Sequence, residues 1–126
     1  MDNAGLKLGR VAATIPVSDI ERARDFYKQA FGLETVFQNG SPVGFMILKR
    51  DAAELHLTLV KGHKGATHNL AHMIVSDAQA AHDRCVEAGA RIIKGMKDAE
   101  WGLRTFVMAD PDGNRIDVGM PLDNEE

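Results

Sequence analysis

The chain has 126 residues, 44% of them hydrophobic and 26% charged, which is typical of a soluble globular protein with a single domain. Fifteen Lys and Arg residues against 18 Asp and Glu residues give a net charge of −3 without any basic run, so we expect no nucleic acid partner. No apolar stretch reaches the length of a membrane span, and the first ten residues do not resemble a signal peptide. A single cysteine, Cys85, suits a reducing compartment, and we expect a cytoplasmic protein.

A strand and a helix are predicted at the start of the chain. The apolar segment 10–17 predicts the strand. Ser18 and Glu21 then form the S-x-x-E pattern of a capping box, in which the two side chains satisfy free backbone N–H groups at the start of a helix. Apolar residues recur at helical spacing up to Gly32, where we expect the helix to end.

Three strands and a polar linker are predicted next. Apolar segments at 34–38, 44–50 and 54–60 predict the strands. The segment KGHKGATHN, residues 61–69, is rich in glycine and polar residues and is expected to be a linker. Residues 8–60 are therefore predicted to form one βαβββ module.

The second half of the chain repeats this order. A strand is predicted at 70–75, and the tripeptide Val-Ser-Asp, already present at 17–19, opens a second helix. Ser76 and Gln79 repeat the capping pattern, and Gly89 is expected to end the helix. The apolar positions of the two helices match in order: Ile20 with Ala78, Ala23 with Ala81, Tyr27 with Cys85, and Ala30 with Ala88. Cys85 is therefore expected to be a small core residue.

Three more strands complete the repeat, at 90–95, 103–110 and 114–120. The segment DPDGN at 110–114 predicts a hairpin turn, because Pro and Asp favour turns and glycine accepts a positive φ. Residues 70–120 are thus a second βαβββ module, and residues 1–126 form a single domain. A half-sheet with a helix on one face leaves its other face uncovered, so two modules side by side enclose a cleft. The predicted fold is α+β, with two tandem βαβββ modules that form a curved mixed sheet around a cleft.

The chain from about residue 8 to 120 resembles the vicinal oxygen chelate superfamily, which includes glyoxalase I, extradiol dioxygenases, fosfomycin-resistance enzymes and bleomycin-resistance proteins. Four segments carry the resemblance: VSDIERARDFYKQAFGLE, ELHLTL, VSDAQAAHDRCVEAGARI and WGLRTFVMADPDGNRIDV. The resemblance implies a homodimer and a ligand or metal inside the cleft.

Enzymes of this superfamily usually hold a divalent ion on the first and last strand of each module. The resemblance puts these four positions at Ala12, His56, Leu70 and Asp117. Ala12 and Leu70 cannot bind metal, and His72 shares the face of Leu70 because strand side chains alternate. A site made of His56, His72 and Asp117 for Zn²⁺, Ni²⁺, Mn²⁺ or Fe²⁺ is one interpretation, and a polar cleft without metal is the other.

Within the superfamily the chain is most similar to the bleomycin-resistance proteins, dimers that sequester a planar cationic drug by stacking it on aromatic side chains. The segments NLAH, WG, RTF and DPDGN carry this likeness. It implies that Trp101 stacks on a ligand or makes a dimer contact, with Arg104 close by. Phe37 and Phe45 match cleft aromatic positions, with core packing as the alternative for both.

The likeness leads to the expectation of a small-molecule binding protein that sequesters its ligand in a cleft at the dimer interface, with no cofactor. His56 and His72 replace residues that are commonly aromatic in that subfamily, and FQNGSPVGF contains no carboxylate, so bleomycin itself is not the expected ligand. The alternative is a metal-dependent lyase, isomerase or dioxygenase of glyoxalase type, in which Asp117 or another cleft base moves a proton. A dimeric domain that serves a larger assembly is a third class, which no feature of the sequence supports.

Overall fold

The structure, a computed structural model, describes residues 5–100 and 102–122. Eight strands and two helices run in the order βαβββ, twice, along this part of the chain. Their bounds are β1 (Ala13–Val17), α1 (Ile20–Phe31), β2 (Glu34–Asn39), β3 (Phe45–Arg50), β4 (Ala53–Leu59), β5 (Asn69–Ile74), α2 (Ala78–Glu87), β6 (Arg91–Asp98), β7 (Leu103–Ala109) and β8 (Arg115–Pro121). Neither of these helices is long and apolar enough to cross a membrane.

The strands form two four-stranded sheets of the same topology. Their orders are β1-β4-β3-β2 and β5-β8-β7-β6, so corresponding strands of the two modules occupy corresponding places. In each sheet the first strand of the module pairs in parallel with the last, and the other neighbours are antiparallel. The predicted α+β fold with two βαβββ modules is confirmed, and its mixed sheet consists of two open halves.

The core lies between the helices and one face of each sheet, and α1 also packs against α2. Apolar side chains that alternate along the strands fill it, because successive strand residues point to opposite faces. The fully buried members include Ile15, Tyr27, Leu48, Leu57, Phe106, Met108, Ile116 and Val118. Cys85 is also fully buried, so its predicted place in the core is confirmed.

The predicted capping boxes are wrong by one residue. Asp19, not Ser18, is the N-cap of α1, and its carboxylate accepts a hydrogen bond from the Arg22 backbone N–H at 3.0 Å. Asp77 caps α2 in the same way, through the Ala80 backbone N–H at 3.0 Å. Serine and aspartate are about equally good caps, so the local pattern does not distinguish between neighbouring Ser and Asp residues.

The predicted helix ends are correct to within one residue. Gly32 follows α1 in the left-handed conformation with φ +70°, and its N–H donates to the Lys28 carbonyl at 2.8 Å. α2 ends one step earlier than predicted, with Ala88 as its cap, and Gly89 follows at φ +101°. A positive φ at both glycines lets the chain leave each helix towards the next strand.

The hairpin between β7 and β8 is closed by a buried carboxylate. One oxygen of Asp110 accepts hydrogen bonds from the backbone N–H groups of Asp112 at 2.9 Å and Asn114 at 3.0 Å. All three side chains are buried, although the turn is rich in polar residues. The turn predicted from DPDGN is therefore present, and it is covered by other parts of the chain.

Module one provides that cover. The Asn114 side-chain amide donates to the Pro16 carbonyl at 2.7 Å. A carboxylate oxygen of Asp112 accepts from the Ser18 backbone N–H at 2.9 Å and from the Arg22 guanidinium at 2.9 Å. The residues in and around the first Val-Ser-Asp segment therefore bind the β7–β8 hairpin, and these hydrogen bonds fix the two modules to each other.

Candidate functional site

Each sheet has an outer face that the helices do not cover. On the first sheet, Phe37 lies opposite Ile47, and Ile47 lies opposite His56, so the three side chains share this outer face. Phe45 lies two residues from Ile47 on the same face, with its ring centroid 6.3 Å from that of Phe37 and 5.5 Å from that of His56. We call these four residues the aromatic face. Phe37 is 51% exposed, so it does not belong to the core.

His56 is held in place by an acidic neighbour. Its Nε2 lies 2.6 Å from a carboxylate oxygen of Glu54, whose other oxygen accepts a hydrogen bond from the Arg10 side chain. The Glu54 side chain is only 5% exposed. The hydrogen bonds from Arg10 and His56 lower the pKa of Glu54 from 4.5 to about 2.

The outer face of the second sheet borders a cavity of about 490 Å³, which we call the module-two cavity. Its lining residues include Asn69, Lys94, Lys97, Thr105, Val107 and Asp117, together with residues 98–100 at and after the end of β6. Val107 lies opposite both Lys94 and Asp117, and Thr105 lies opposite Lys97, so β6, β7 and β8 all contribute to one surface. A cavity of this size is within the range of small-molecule sites.

His72 and Asp117 form a pair on neighbouring parallel strands at this cavity. The two residues lie side by side in the β5–β8 register, and His72 Nδ1 is 3.0 Å from a carboxylate oxygen of Asp117. The Asp117 side chain is 19% exposed and that of His72 is 41% exposed. Asp117 lines the cavity, and His72 lies beside it on β5, so the two form a partly open pair at the edge of this surface.

The three predicted metal ligands are divided between the two sheets. His56 lies on β4 of the first sheet, whereas His72 and Asp117 lie on the second. Within residues 5–100 and 102–122, no three His, Cys, Asp or Glu side chains are arranged to hold a metal ion. A catalytic zinc site needs three protein ligands, and the donors among these described residues do not come together to supply them.

Arg104 lies on the face of the sheet opposite the cavity, because successive side chains of β7 point to opposite faces. It precedes Thr105 on β7, so its side chain points to the opposite face of the sheet. There its guanidinium donates to the two carboxylate oxygens of Asp98 at 2.7 and 3.3 Å. These hydrogen bonds lower the pKa of Asp98. The predicted stacking residue, Trp101, lies outside the described residues.

The lysines of the cavity were not among the site residues expected from the sequence. Lys94 and Lys97 are three residues apart, and in a regular strand they would point to opposite faces. The strand β6 is irregular between them, with a register shift that turns both towards the cavity. Gly95 was the available signal, since a glycine inside a strand often marks a bulge.

Comparison with known proteins shows which family shares this architecture. A family model described as Glyoxalase/Bleomycin resistance protein/Dioxygenase superfamily matches residues 7–118. An uncharacterized protein of Mycobacterium bovis is 28% identical over 120 residues, covering 84% of this chain and 79% of that protein. The residues matched by the family model include module one, the linker and module two as far as β8.

Solved structures show the same relationship. A member of the same superfamily from Sphaerobacter thermophilus has a TM-score of 0.73 at 28% identity, over 91% of this chain and 99% of that one. TnmS3, an antibiotic binding protein from Streptomyces sp. CB03234, has a TM-score of 0.72 at 27% identity, over 92% and 98%. A bleomycin-binding protein in complex with bleomycin shares the fold, with a TM-score of 0.72 at 21% identity, over 90% and 98%. The chain therefore belongs to the glyoxalase/bleomycin resistance protein/dioxygenase superfamily.

Proposed function

We propose that this protein binds a small organic molecule in a cleft and sequesters it without chemical change. The observation that carries the proposal is the cavity of about 490 Å³ on the outer face of the second sheet, with Val107 as an apolar wall and Asn69, Thr105 and Asp117 as polar groups. Ligand sites are concave and carry polar groups that fix the orientation of the ligand, and polar residues make up most of the lining here. The similarity to an antibiotic binding protein at 27% identity supports the same class of function.

The proposal includes a homodimer. On and beside the aromatic face, Phe37 and Val36 are 51% and 57% exposed in the described part of the single chain. The second sheet presents a cavity that is open on one side. A two-fold arrangement in which the aromatic face of each copy covers the cavity of the other would bury both surfaces and form two equal clefts. The rings of Phe37 and Phe45 would then stack on a planar ligand, as would Trp101 in the interpretation drawn from the sequence.

A metal-dependent lyase is the second candidate, and the His72–Asp117 pair is the observation that favours it. In the same two-fold arrangement, His56 of one copy would have to meet His72 and Asp117 of the other to give three ligands. Metal retention by the dimer therefore separates the two candidates. Our proposal has no resident metal.

The test is a titration calorimetry series with planar aromatic antibiotics, including bleomycin, on the purified protein. We expect at least one of them to bind and to be recovered unchanged by mass spectrometry. Phe45→Ala should weaken its binding by about tenfold, which corresponds to about 1.4 kcal/mol, because a stacking ring is lost. Val86→Ala removes an exposed apolar side chain from α2 and is the matched control, with unchanged affinity.

The same samples are analysed for metal after divalent ions are added and the excess is removed by dialysis. A retained ion that is lost in His56→Ala, together with conversion of a ligand into product, would refute the sequestration proposal and establish the lyase. Binding that Phe45→Ala leaves unchanged would remove the aromatic face from the site.

A further inference from the structure

The bulge in β6 brings two positive charges to one surface. Lys94 lies opposite Val107 and Lys97 opposite Thr105, so three steps along β6 correspond to two along β7. Residues directly opposite each other in an antiparallel pair share a face. Since Val107 and Thr105 share the cavity face, both lysines do as well, and both line the cavity. Bulges that re-aim a side chain in this way are common next to functional sites.

Within the described part of the chain, neither lysine forms an ion pair within 4.0 Å with a carboxylate, although acidic residues also line the cavity. Two acidic residues of the lining have other partners. Asp117 lies 3.0 Å from His72, and the Asp98 carboxylate is bound by Arg104 at 2.7 Å on the opposite face of the sheet. Glu100, in the loop after β6, is the remaining acid of the lining.

We infer that the module-two cavity binds the anionic group of an organic ligand through Lys94 and Lys97, while Val107 contacts the apolar body of that ligand. This inference rests on the proposed function and specifies its ligand class, a carboxylate, sulfonate or phosphate attached to an apolar or aromatic body. The inferred ligand is therefore anionic, whereas the bleomycin-resistance likeness implies a cationic one. A lysine ammonium is a flexible point charge with three donors, which accommodates any of these anionic groups.

The experiment compares two probes with the same ring and opposite charge, naphthalene-2-sulfonate and 2-naphthylmethylammonium. Each is titrated into the full-length protein at low salt, and the amide resonances of Thr105 and Val107 are followed by NMR. We expect the sulfonate to bind more tightly than the ammonium probe. Lys94→Gln/Lys97→Gln should weaken sulfonate binding about five- to tenfold, because two exposed charge pairs with the anion, each of modest strength, are lost.

The matched control is Lys7→Gln/Lys61→Gln, which removes the same charge from exposed positions outside the cavity lining. It should leave sulfonate binding within about twofold of wild type. If the ammonium probe shifts the two resonances and the sulfonate does not, or if the control weakens binding as much as the cavity variant, the charge assignment is wrong and the binding function stands. If neither probe shifts them, the proposed function is wrong as well.

Discussion

The hydroxyl of Tyr27 donates a hydrogen bond of 2.7 Å to a carboxylate oxygen of Asp110. Tyr27 lies on α1 in module one and Asp110 in the β7–β8 hairpin of module two, and both are buried. The second oxygen of Asp110 closes the hairpin through two backbone N–H groups. The Asp110 carboxylate therefore stabilises the hairpin turn through one oxygen and binds module one through the other. Burial, and then the charge of Asp110, raise the pKa of Tyr27 well above its usual value, which keeps the hydroxyl protonated as a donor.

Tyr27→Phe should lower the free energy of unfolding by about 1–3 kcal/mol, because it leaves a buried carboxylate oxygen with one fewer donor. The measurement is urea denaturation followed by circular dichroism. Thr67→Val, which also removes a hydroxyl but at an exposed position, is the control and should change stability by less than about 0.5 kcal/mol. Equal stability of Tyr27→Phe and wild type would show that the bond contributes nothing to holding the modules together.

The Arg10–Glu54–His56 cluster should make stability depend on acid pH. The pKa of Glu54 is lowered from 4.5 to about 2 in the folded protein, so its contribution is complete above pH 4.5 and is lost as the pH falls towards about 2. Urea denaturation at a series of pH values should show a steeper loss of stability below pH 4.5 for wild type than for Glu54→Gln.

Arg10→Gln removes the partner that contributes most to this pKa shift and should flatten the same part of the curve. Lys7→Gln removes an equal charge nearby in sequence and should retain the wild-type slope. Parallel curves for wild type and Glu54→Gln through this pH range would contradict the assignment.

Cys85 should be unreactive in the native protein. It is fully buried on α2, and burial raises the pKa of its thiol to about 12, so very little thiolate is present at mildly alkaline pH. We expect negligible labelling by iodoacetamide in buffer and complete labelling in concentrated urea, measured by intact mass. Rapid labelling of the native protein would show that α2 opens readily, and that the core of module two is less stable than its packing implies.

The sequence by itself determined the order of elements, the duplication and the family. Apolar residues at alternating spacing indicate strands, and apolar residues at helical spacing indicate helices. Both patterns involve only residues that are close in the chain, so the predicted strands agree with β1 to β8 to within a few residues. Turn chemistry is equally local, and both the DPDGN hairpin and the positive φ at Gly32 follow from it. Matching patterns in the two halves then indicated paired modules with matching topology.

Tertiary structure decided the features that depend on residues far apart in the chain. Ser18 and Asp19 are comparable caps by sequence; in the structure Asp19 caps α1, while Ser18 contacts Asp112 of the other module. A register shift in β6 decided that Lys94 and Lys97 share a face, a result that strict alternation excludes. Strand order put His56 on one sheet and His72 on the other. Contacts of this kind are selected by the packing of the whole chain, because the local energies of the competing arrangements differ too little to decide between them.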